Sequence, residues 1–218
     1  MEPAVDHTVF IRDLNATDLP AVAALHIQAF PDSLLTRLGR QAICKYYEWQ
    51  SQPPNECHAI GGFEGEEMAG FCYSGSFRDS EVYFVTRHWY LAIPAVLKEP
   101  GLLRQIDPIR RLLYLIKAIP KKILAKFARK NNSNRPTKKY GILSIAVSPA
   151  FQHSGIGTLL VQAVYKDALT KGYTQIRLSV HPDNQKAVQF YQKEGWGKVL
   201  DTNGKWAGAM IKDIRMDQ

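Results

Sequence analysis

The chain has 218 residues, of which 45% are hydrophobic, and a formal net charge of +8. This length favours one large domain, or one domain that carries an insertion. The chain has no run of 18 apolar residues, which argues against a membrane-spanning helix, and residues 1–6 lack the basic and apolar regions of a secretory signal.

The cysteines and histidines give no sign of a disulfide framework or a metal site. Cys44, Cys57 and Cys72 are odd in number and form no Cys-x-x-Cys pair. The six histidines show no metal-ligand spacing. We therefore expect reduced thiols in a cytoplasmic protein without a bound metal.

The N-terminal part of the chain predicts a strand, two helices and a hairpin. Asn15 is a helix-capping residue, and Asp18 follows where negative charge favours a helix start. Glycine at position 65 indicates a tight turn after Glu64. The predicted elements are a strand at 9–14, helices at 19–30 and 34–49, and hairpin strands at 58–63 and 68–73.

Residues 78–140 differ from the rest of the chain and predict a helical insert. Thirteen basic and two acidic residues lie between Lys98 and Lys139, so this part accounts for more than the whole net charge. Residues 109–128 predict a basic amphipathic helix that bends at Pro120. The helix suits a lid that packs its apolar face on the domain, an interfacial helix that contacts anionic lipid, or capture of an acidic acceptor by its basic residues, and the sequence leaves these open. We see no nucleic-acid-binding motif.

The C-terminal part predicts alternating strands and helices and then a final hairpin. A β-prone run ends at Ser148-Pro149, and Gly155-Ile-Gly157 then precedes a helical pattern. Asn203-Gly204 is a strong hairpin turn signal. The predicted elements are strands at 142–147, 174–180, 196–200 and 206–211, and helices from the glycine turn to about 170 and at 184–194.

The strand, glycine turn and helix start around Gly155 predict an anion site. Such an arrangement directs several backbone N–H groups at one spot, and the helix N-terminus adds positive partial charge there. The site suits a phosphate or diphosphate, because glycine allows the ligand to approach the backbone closely. No Gly-Lys-Ser/Thr follows, so it is not a P-loop, and the third glycine of a dinucleotide fingerprint is absent.

Two motifs in this part of the chain resemble those of the GNAT N-acetyltransferase superfamily. Gln152-His-Ser-Gly155-Ile-Gly157 resembles its acetyl-CoA loop, Gln/Arg-x-x-Gly-x-Gly/Ala. The segment from Asn184 through Tyr191 to Gly195-Trp196 is similar to its pattern Asn-x-x-Ala-x-x-x-Tyr-x-x-x-Gly-Phe. The resemblance implies an α/β (α+β) fold with a mixed, mostly antiparallel central sheet flanked by helices. It implies a single domain over 1–218, with the basic insert at about 78–140 between the third and fourth strands.

The resemblance also implies acetyl-CoA as co-substrate, no metal, and a set of site residues. Tyr191 matches the tyrosine that gives a proton to the departing thiolate in many members. Asn184 would orient the pantetheine arm or the local backbone, and a backbone N–H near Val147 would polarise the carbonyl. The implied acetyl-CoA-binding residues are Ile145, Ala146, Val147, Gln152, His153, Ser154, Gly155, Ile156, Gly157, Thr158 and Asn184.

One position departs from the family pattern. In some members, a glutamate that acts as the catalytic base lies five residues before the motif asparagine. This chain has Ser179 at that position. The base therefore lies elsewhere, or water carries the proton away, or the amine arrives neutral. Structural alternatives also stand: Tyr191 as a core aromatic, the glycines as a simple turn, and His153 as a solvent-facing loop residue. The candidate bases, which the sequence does not rank, are Glu66, Glu67, His181 and Asp183.

The resemblance predicts transfer of an acetyl group from acetyl-CoA to a primary amine of a small molecule. An amino sugar or sugar nucleotide is the favoured acceptor. The alternatives are a protein amine as acceptor, or an acetyl-CoA sensor or membrane-docked partner without turnover. We expect a cytoplasmic monomer or homodimer, with peripheral contact between the insert and the inner face of the membrane as an alternative location.

Overall fold

The computed structural model describes residues 9–53, 55–76, 84, 88–98 and 140–214, and within them seven strands form one sheet in the order β1-β2-β3-β4-β5-β7-β6. Neighbouring strands are antiparallel except β4 and β5, which are parallel. This confirms the expected mixed, mostly antiparallel sheet. The strands are β1 (Val9–Asp13), β2 (Glu56–Glu64), β3 (Glu67–Ser76), β4 (Tyr140–Val147), β5 (Gln175–Ser179), β6 (Gly197–Leu200) and β7 (Trp206–Asp213).

The described helices are six in number, besides three short 3₁₀ turns at Ala16–Asp18, Trp89–Ala92 and Pro149–Phe151. The helices are α1 (Leu19–Ala29), α2 (Leu34–Leu38), α3 (Arg40–Gln50), α4 (Ile93–Lys98), α5 (Ile156–Thr170) and α6 (Gln185–Lys193). Among the described residues, no helix is both long enough and apolar enough to cross a bilayer.

Local signals explain where the first helices begin and end. The Asn15 side chain accepts from the Thr17 N–H, and the Asp18 carboxylate accepts from the Asn15 N–H, which completes a capping box. The predicted single helix at 34–49 is wrong, because Gly39 separates α2 from α3. Gly39 has φ +95° and ψ 171°, a conformation that glycine tolerates and a helix does not contain.

The sheet carries a hydrophobic core on each face. Phe71 and Tyr73 of β3 pack on one face with residues of α1, α2 and α3. Cys72, between them in sequence, points to the other face, which α5 and α6 cover. The alternation along β3 therefore buries both sides of the strand.

The predicted elements after residue 140 agree with the structure to within about two residues at each end. β6 and β7 form the expected hairpin, with Gly204 in its turn at φ +74°. Within the region predicted as an insert, the structure describes Phe84 and residues 88–98, where Phe84 packs against Tyr46 and Trp49. The predicted basic helix at 109–128 lies outside the described residues.

Candidate functional site

The sheet opens between β4 and β5. These parallel strands pair only at Tyr140 with Ile176 and at Gly141 with Arg177. β4 continues through residues 142–147 and β5 through residues 178–179 without pairing to each other. The backbone groups on this side of β4 therefore lack a neighbouring strand and are available to a ligand.

A β-bulge lies where β4 leaves β5. In the pairing with β3, Ile142 faces Ser74 and Ser144 faces Tyr73, so Leu143 is the extra residue. A bulge bends its strand and increases the local twist. The bulge thus accounts for the divergence of the two strands, and the sequence pattern showed only an unbroken apolar run.

The loop after β4 leads directly into a helix N-terminus. The Ser148 N–H donates to the Ala69 carbonyl at 2.8 Å, which ties the end of β4 to β3. His153 has φ +67° and Gly155 has φ +86°, and α5 begins immediately afterwards. The N–H of Leu159 donates to Gly155 O, so the preceding amides of α5 lie in the unpaired first turn.

The exposed part of this loop has the character of an anion site. Gln152, His153, Ser154 and Gly155 are exposed, whereas Ile156 is buried and anchors the helix start. The free amides and the helix dipole both favour negative charge here. A Cβ on Gly155 would meet no atom within 4 Å, so the space beside the turn is open.

The two sequence motifs meet at Gly157. A Cβ placed there would lie 3.4 Å from Phe190 Cζ and 3.8 Å from Val147 Cγ2. The Thr158 hydroxyl donates to Glu194 Oε1 at 2.8 Å. The end of β4, the first turn of α5 and helix α6 are therefore adjacent, as the combined motifs require.

Tyr191 is buried on the α5 and α6 face of the sheet, with 6% of its surface exposed. Its ring contacts Phe190 and Trp196, with centroid distances of 5.3 and 5.6 Å. Burial raises the pKa of Tyr191 above its ordinary value, so the phenol keeps its proton. Among the described residues the Tyr191 hydroxyl has no hydrogen-bond partner.

Asn184 is the N-cap of α6, and its Oδ1 accepts from the Ala187 N–H at 3.2 Å. A side chain engaged in this way fixes the start of the helix that carries Tyr191. The sequence motif predicted that Asn184 orients either the pantetheine arm or the local backbone. This contact corresponds to the second role.

The four candidate bases do not lie together in the structure. Glu66 and Glu67 lie exposed at the β2–β3 turn, whereas His181 and Asp183 lie exposed between β5 and α6. His181 Nδ1 is 3.7 Å from the Asp183 carboxylate, and 76% and 92% of the two side chains are exposed. Such a pair is solvated and carries little energy.

A buried chain of polar side chains on the other face of the sheet was not predicted from the sequence. His26 Nδ1 lies 2.8 Å from the Tyr47 hydroxyl, and the Tyr47 hydroxyl lies 2.9 Å from Ser144 Oγ. His26 Nε2 lies 3.1 Å from Ser33 Oγ. The only sequence signal for this group of hydrogen-bonded side chains was a histidine within the apolar pattern of the first helix.

Comparison with known proteins adds an independent view of the chain. A sequence model of the Acetyltransferase (GNAT) family matches residues 113–196. A thialysine N-epsilon-acetyltransferase of Mus musculus is 38% identical over 60 residues, which are 28% of this chain and 35% of that protein. The matched stretch thus spans about a third of the length of the curated relatives.

Solved structures share the fold of this chain. The ribosomal-protein-S18-alanine N-acetyltransferase from Escherichia coli has a TM-score of 0.55 at 15% identity, with 97% of each chain covered. The PaiA N-acetyltransferase from Thermoplasma acidophilum, in complex with coenzyme A, has a TM-score of 0.54 at 16% identity. That match covers 94% of this chain and 99% of the other. At these identities the likeness establishes the fold.

Proposed function

We propose that this chain is a member of the GNAT N-acetyltransferase superfamily and that it transfers an acetyl group from acetyl-CoA to a primary amine. The observation that carries the proposal is the opening between β4 and β5, with a glycine-turn helix N-terminus at one end. We take the whole chain, 1–218, as one domain with an insert.

The residues at this opening fit acetyl-CoA. The exposed loop from Gln152 to Gly155 and the first-turn amides of Ile156, Gly157 and Thr158 would hold the diphosphate, because they present N–H donors at the positive end of a helix. The unpaired edge of β4 at residues 145–147 would hydrogen-bond the pantetheine arm. Bound there, acetyl-CoA supplies an acetyl group activated as a thioester.

Groups of the protein would then stabilise the negative charge that develops on the carbonyl oxygen and donate a proton to the departing sulfur. A β4 N–H in the stretch from Ile145 to Val147 would donate to the carbonyl oxygen as negative charge develops on it. The Tyr191 hydroxyl would give its proton to the departing sulfur. Asn184 would contribute by fixing the start of α6.

The acceptor that we favour is a small molecule with a primary amine, with an amino sugar or sugar nucleotide first among the candidates. The curated relatives are named for acetylation of thialysine, which supports a small-molecule amine without choosing its class. A protein amine stays a second candidate, because a structural neighbour is named for acetylation of a ribosomal protein. We further propose a cytoplasmic location and a monomeric or homodimeric state, with contact between the insert and the inner face of the membrane as an alternative.

The direct test measures release of free CoA from acetyl-CoA with a panel of amines. The panel contains amino sugars, their nucleotide forms, lysine, thialysine and short peptides with free N-termini. We expect release with at least one small-molecule amine and its acetylated product by mass spectrometry. If the protein binds acetyl-CoA but releases no free CoA with any amine, the proposed acetyltransferase activity is contradicted and the role of an acetyl-CoA sensor is favoured.

Tyr191→Phe tests the proposed acid. We expect kcat to fall by roughly 10²–10⁴ with the Kd of acetyl-CoA unchanged, because only proton donation is removed. Tyr173→Phe is the control, since Tyr173 contacts Tyr140 near the far end of α5. An unchanged kcat in Tyr191→Phe would remove Tyr191 from the chemistry and leave it as a core aromatic.

A further inference from the structure

Ser144 lies in the part of β4 that has no strand beside it on the β5 side. β4 pairs with β5 only at Tyr140 and Gly141, whereas its pairing with β3 continues past Ser144. Ser144 is half-buried, while Ser74, on the fully paired strand β3, is 0% exposed. The missing neighbour accounts for the exposure of Ser144, so a ligand in the opening can reach it.

A buried tyrosine holds the Ser144 hydroxyl in place. The Tyr47 hydroxyl donates to Ser144 Oγ at 2.9 Å. Tyr47 is 0% exposed, and its ring packs against those of Phe71 and Tyr73, with centroid distances of 5.5 and 4.4 Å. Because the ring is enclosed in this aromatic cluster, the position of Ser144 Oγ is fixed as well.

A count of protons leaves Ser144 as a donor. Tyr47 has one hydroxyl proton, which the bond to Ser144 uses, so the Tyr47 oxygen accepts from His26 Nδ1, 2.8 Å away. Among the described residues, none accepts the proton of Ser144 itself. Hydrogen bonds in series polarise one another, which strengthens the donor at the end of the series. Ser144 therefore offers a positioned O–H group at the opening.

The two faces of the sheet divide the proposed reactants. Tyr191 and the buried side of α5, whose first turn is the proposed diphosphate site, pack on one face. Tyr47 packs on the other face and meets Ser144 there. An amine that attacks the thioester has to approach from a side that acetyl-CoA leaves open. The face with Ser144 meets this requirement.

We infer that Ser144 determines the specificity of the acceptor site, where its hydroxyl donates to an uncharged oxygen of the acceptor close to the reacting amine. This inference rests on the proposed acetyl transfer and narrows its substrate class. Ser144 directly precedes Ile145, the first residue of the stretch proposed to bind the thioester carbonyl. The acceptor oxygen therefore lies within one or two carbons of the amine nitrogen.

The substrate class that fits is an amine with a hydroxyl or ether oxygen on a neighbouring carbon. Amino sugars have this arrangement. The side-chain amines of lysine and thialysine do not, since no oxygen lies near them. Tyr47 acts as a positioning residue, because it touches Ser144 and not the acceptor.

The test compares two acceptors that share one ring, trans-2-aminocyclohexanol and cyclohexylamine. We expect Ser144→Ala to lower kcat/KM for the hydroxylated amine by about tenfold. The kcat/KM for cyclohexylamine and the Kd of acetyl-CoA should stay unchanged. Each variant is compared with the wild type on the same amine, which cancels the difference in basicity between the two amines. An equal effect of Ser144→Ala on both amines would overturn the inference.

Ser74→Ala is the matched control. The Ser74 hydroxyl is also hydrogen-bonded to a tyrosine, Tyr140, at 3.1 Å, but it is buried in the paired part of the sheet. We expect Ser74→Ala to leave the ratio of kcat/KM between the two amines at its wild-type value. A loss of the ratio equal to that in Ser144→Ala would assign the effect to the sheet as a whole and overturn the inference.

Tyr47→Phe tests how Ser144 is positioned, because it removes the hydroxyl and keeps the ring. We expect it to lower kcat/KM for the hydroxylated amine several-fold with Ser144 present. In the Ser144→Ala background it should cause no further change in the ratio between the two amines. A further loss of the ratio in the double variant would overturn the role of Tyr47 as the residue that positions Ser144.

Two outcomes separate this inference from the proposed function. Absence of CoA release by the wild type with every amine would overturn both. Faster turnover of lysine or thialysine than of every hydroxylated amine, with Ser144→Ala as active as the wild type, would leave the acetyl transfer in place. That result would overturn the role of Ser144 alone.

Discussion

The hydroxyl of Thr158 donates a hydrogen bond to Glu194 Oε1 across 2.8 Å. Thr158 lies in the first turn of α5, and Glu194 is the C-cap of α6. This contact joins the helix that begins at the glycine turn to the helix that carries Tyr191. The proposed diphosphate site and the proposed acid are therefore held at a set separation.

Thr158→Val keeps the side-chain shape and removes this hydrogen bond. We expect the free energy of unfolding to fall by about 1 kcal/mol, which lowers Tm by about 2–4 °C in a chain of this size. The Kd for acetyl-CoA should rise because the first turn of α5 loses its anchor. Thr170→Val is the control, since the Thr170 hydroxyl donates within its own helix, to Lys166 O. An equal rise in the Kd of Thr170→Val would show that the Thr158–Glu194 hydrogen bond is not responsible.

Gly155→Ala tests the backbone conformation of the turn. Its φ of +86° strains any residue with a Cβ, although the added atom would meet nothing within 4 Å. We expect a loss of about 1–2 kcal/mol in the free energy of unfolding and weaker acetyl-CoA binding by calorimetry. Gly39→Ala, at φ +95° with equal space, should lower stability and leave the Kd unchanged. Unaltered binding in Gly155→Ala would argue against diphosphate at this turn.

Asp18 should stabilise the fold in a pH-dependent way. Two hydrogen bonds from Arg12 at 2.8 Å, and one from the Asn15 N–H, hold the pKa of the Asp18 carboxyl below its usual range. Its contribution is present above the unfolded-state pKa and is lost as pH falls through the lower folded-state pKa.

The substitution Asp18→Asn measures that contribution. We expect it to lower the free energy of unfolding by about 1.5–3 kcal/mol at neutral pH, with the difference from wild type shrinking in acid, as read from urea unfolding. Asp183→Asn is the control because its side chain is 92% exposed. A difference that persists unchanged into strong acid would show that the carboxylate charge is not responsible.

His26 should destabilise the fold in mild acid. Burial lowers the pKa of His26 to about 4, whereas the unfolded chain binds the proton near the ordinary histidine pKa of 6.5. As pH falls from 6.5 to 4, the unfolded state therefore binds more protons and the free energy of unfolding decreases, by up to about 3 kcal/mol. Below the folded-state pKa this decrease ends.

His26→Gln should remove that part of the pH dependence, and urea unfolding across the window measures it. His181→Gln, a change at a 76% exposed histidine, should keep the wild-type dependence. A variant at position 26 that retains the full slope would mean that His26 protonates normally in the folded chain.

The features predicted correctly are those whose cause lies within a few residues. Asn15 and Asp18 form a capping box across one turn, and the turn at Gly204 follows from its own dipeptide. The break at Gly39 was also a local signal, but the surrounding helical pattern concealed it. The Leu143 bulge had no local signal, since it exists only in the register between β4 and β3.

Local sequence patterns predicted the order of the elements, the glycine turn at Gly155 and the helix that carries Tyr191, because periodicity and turn chemistry act over short distances. The tertiary structure alone decided that β4 and β5 part after two residue pairs, and that Ser144 meets Tyr47 across 97 positions of the chain. Such contacts depend on strand register and on the packing of helices against the sheet, which no local pattern encodes.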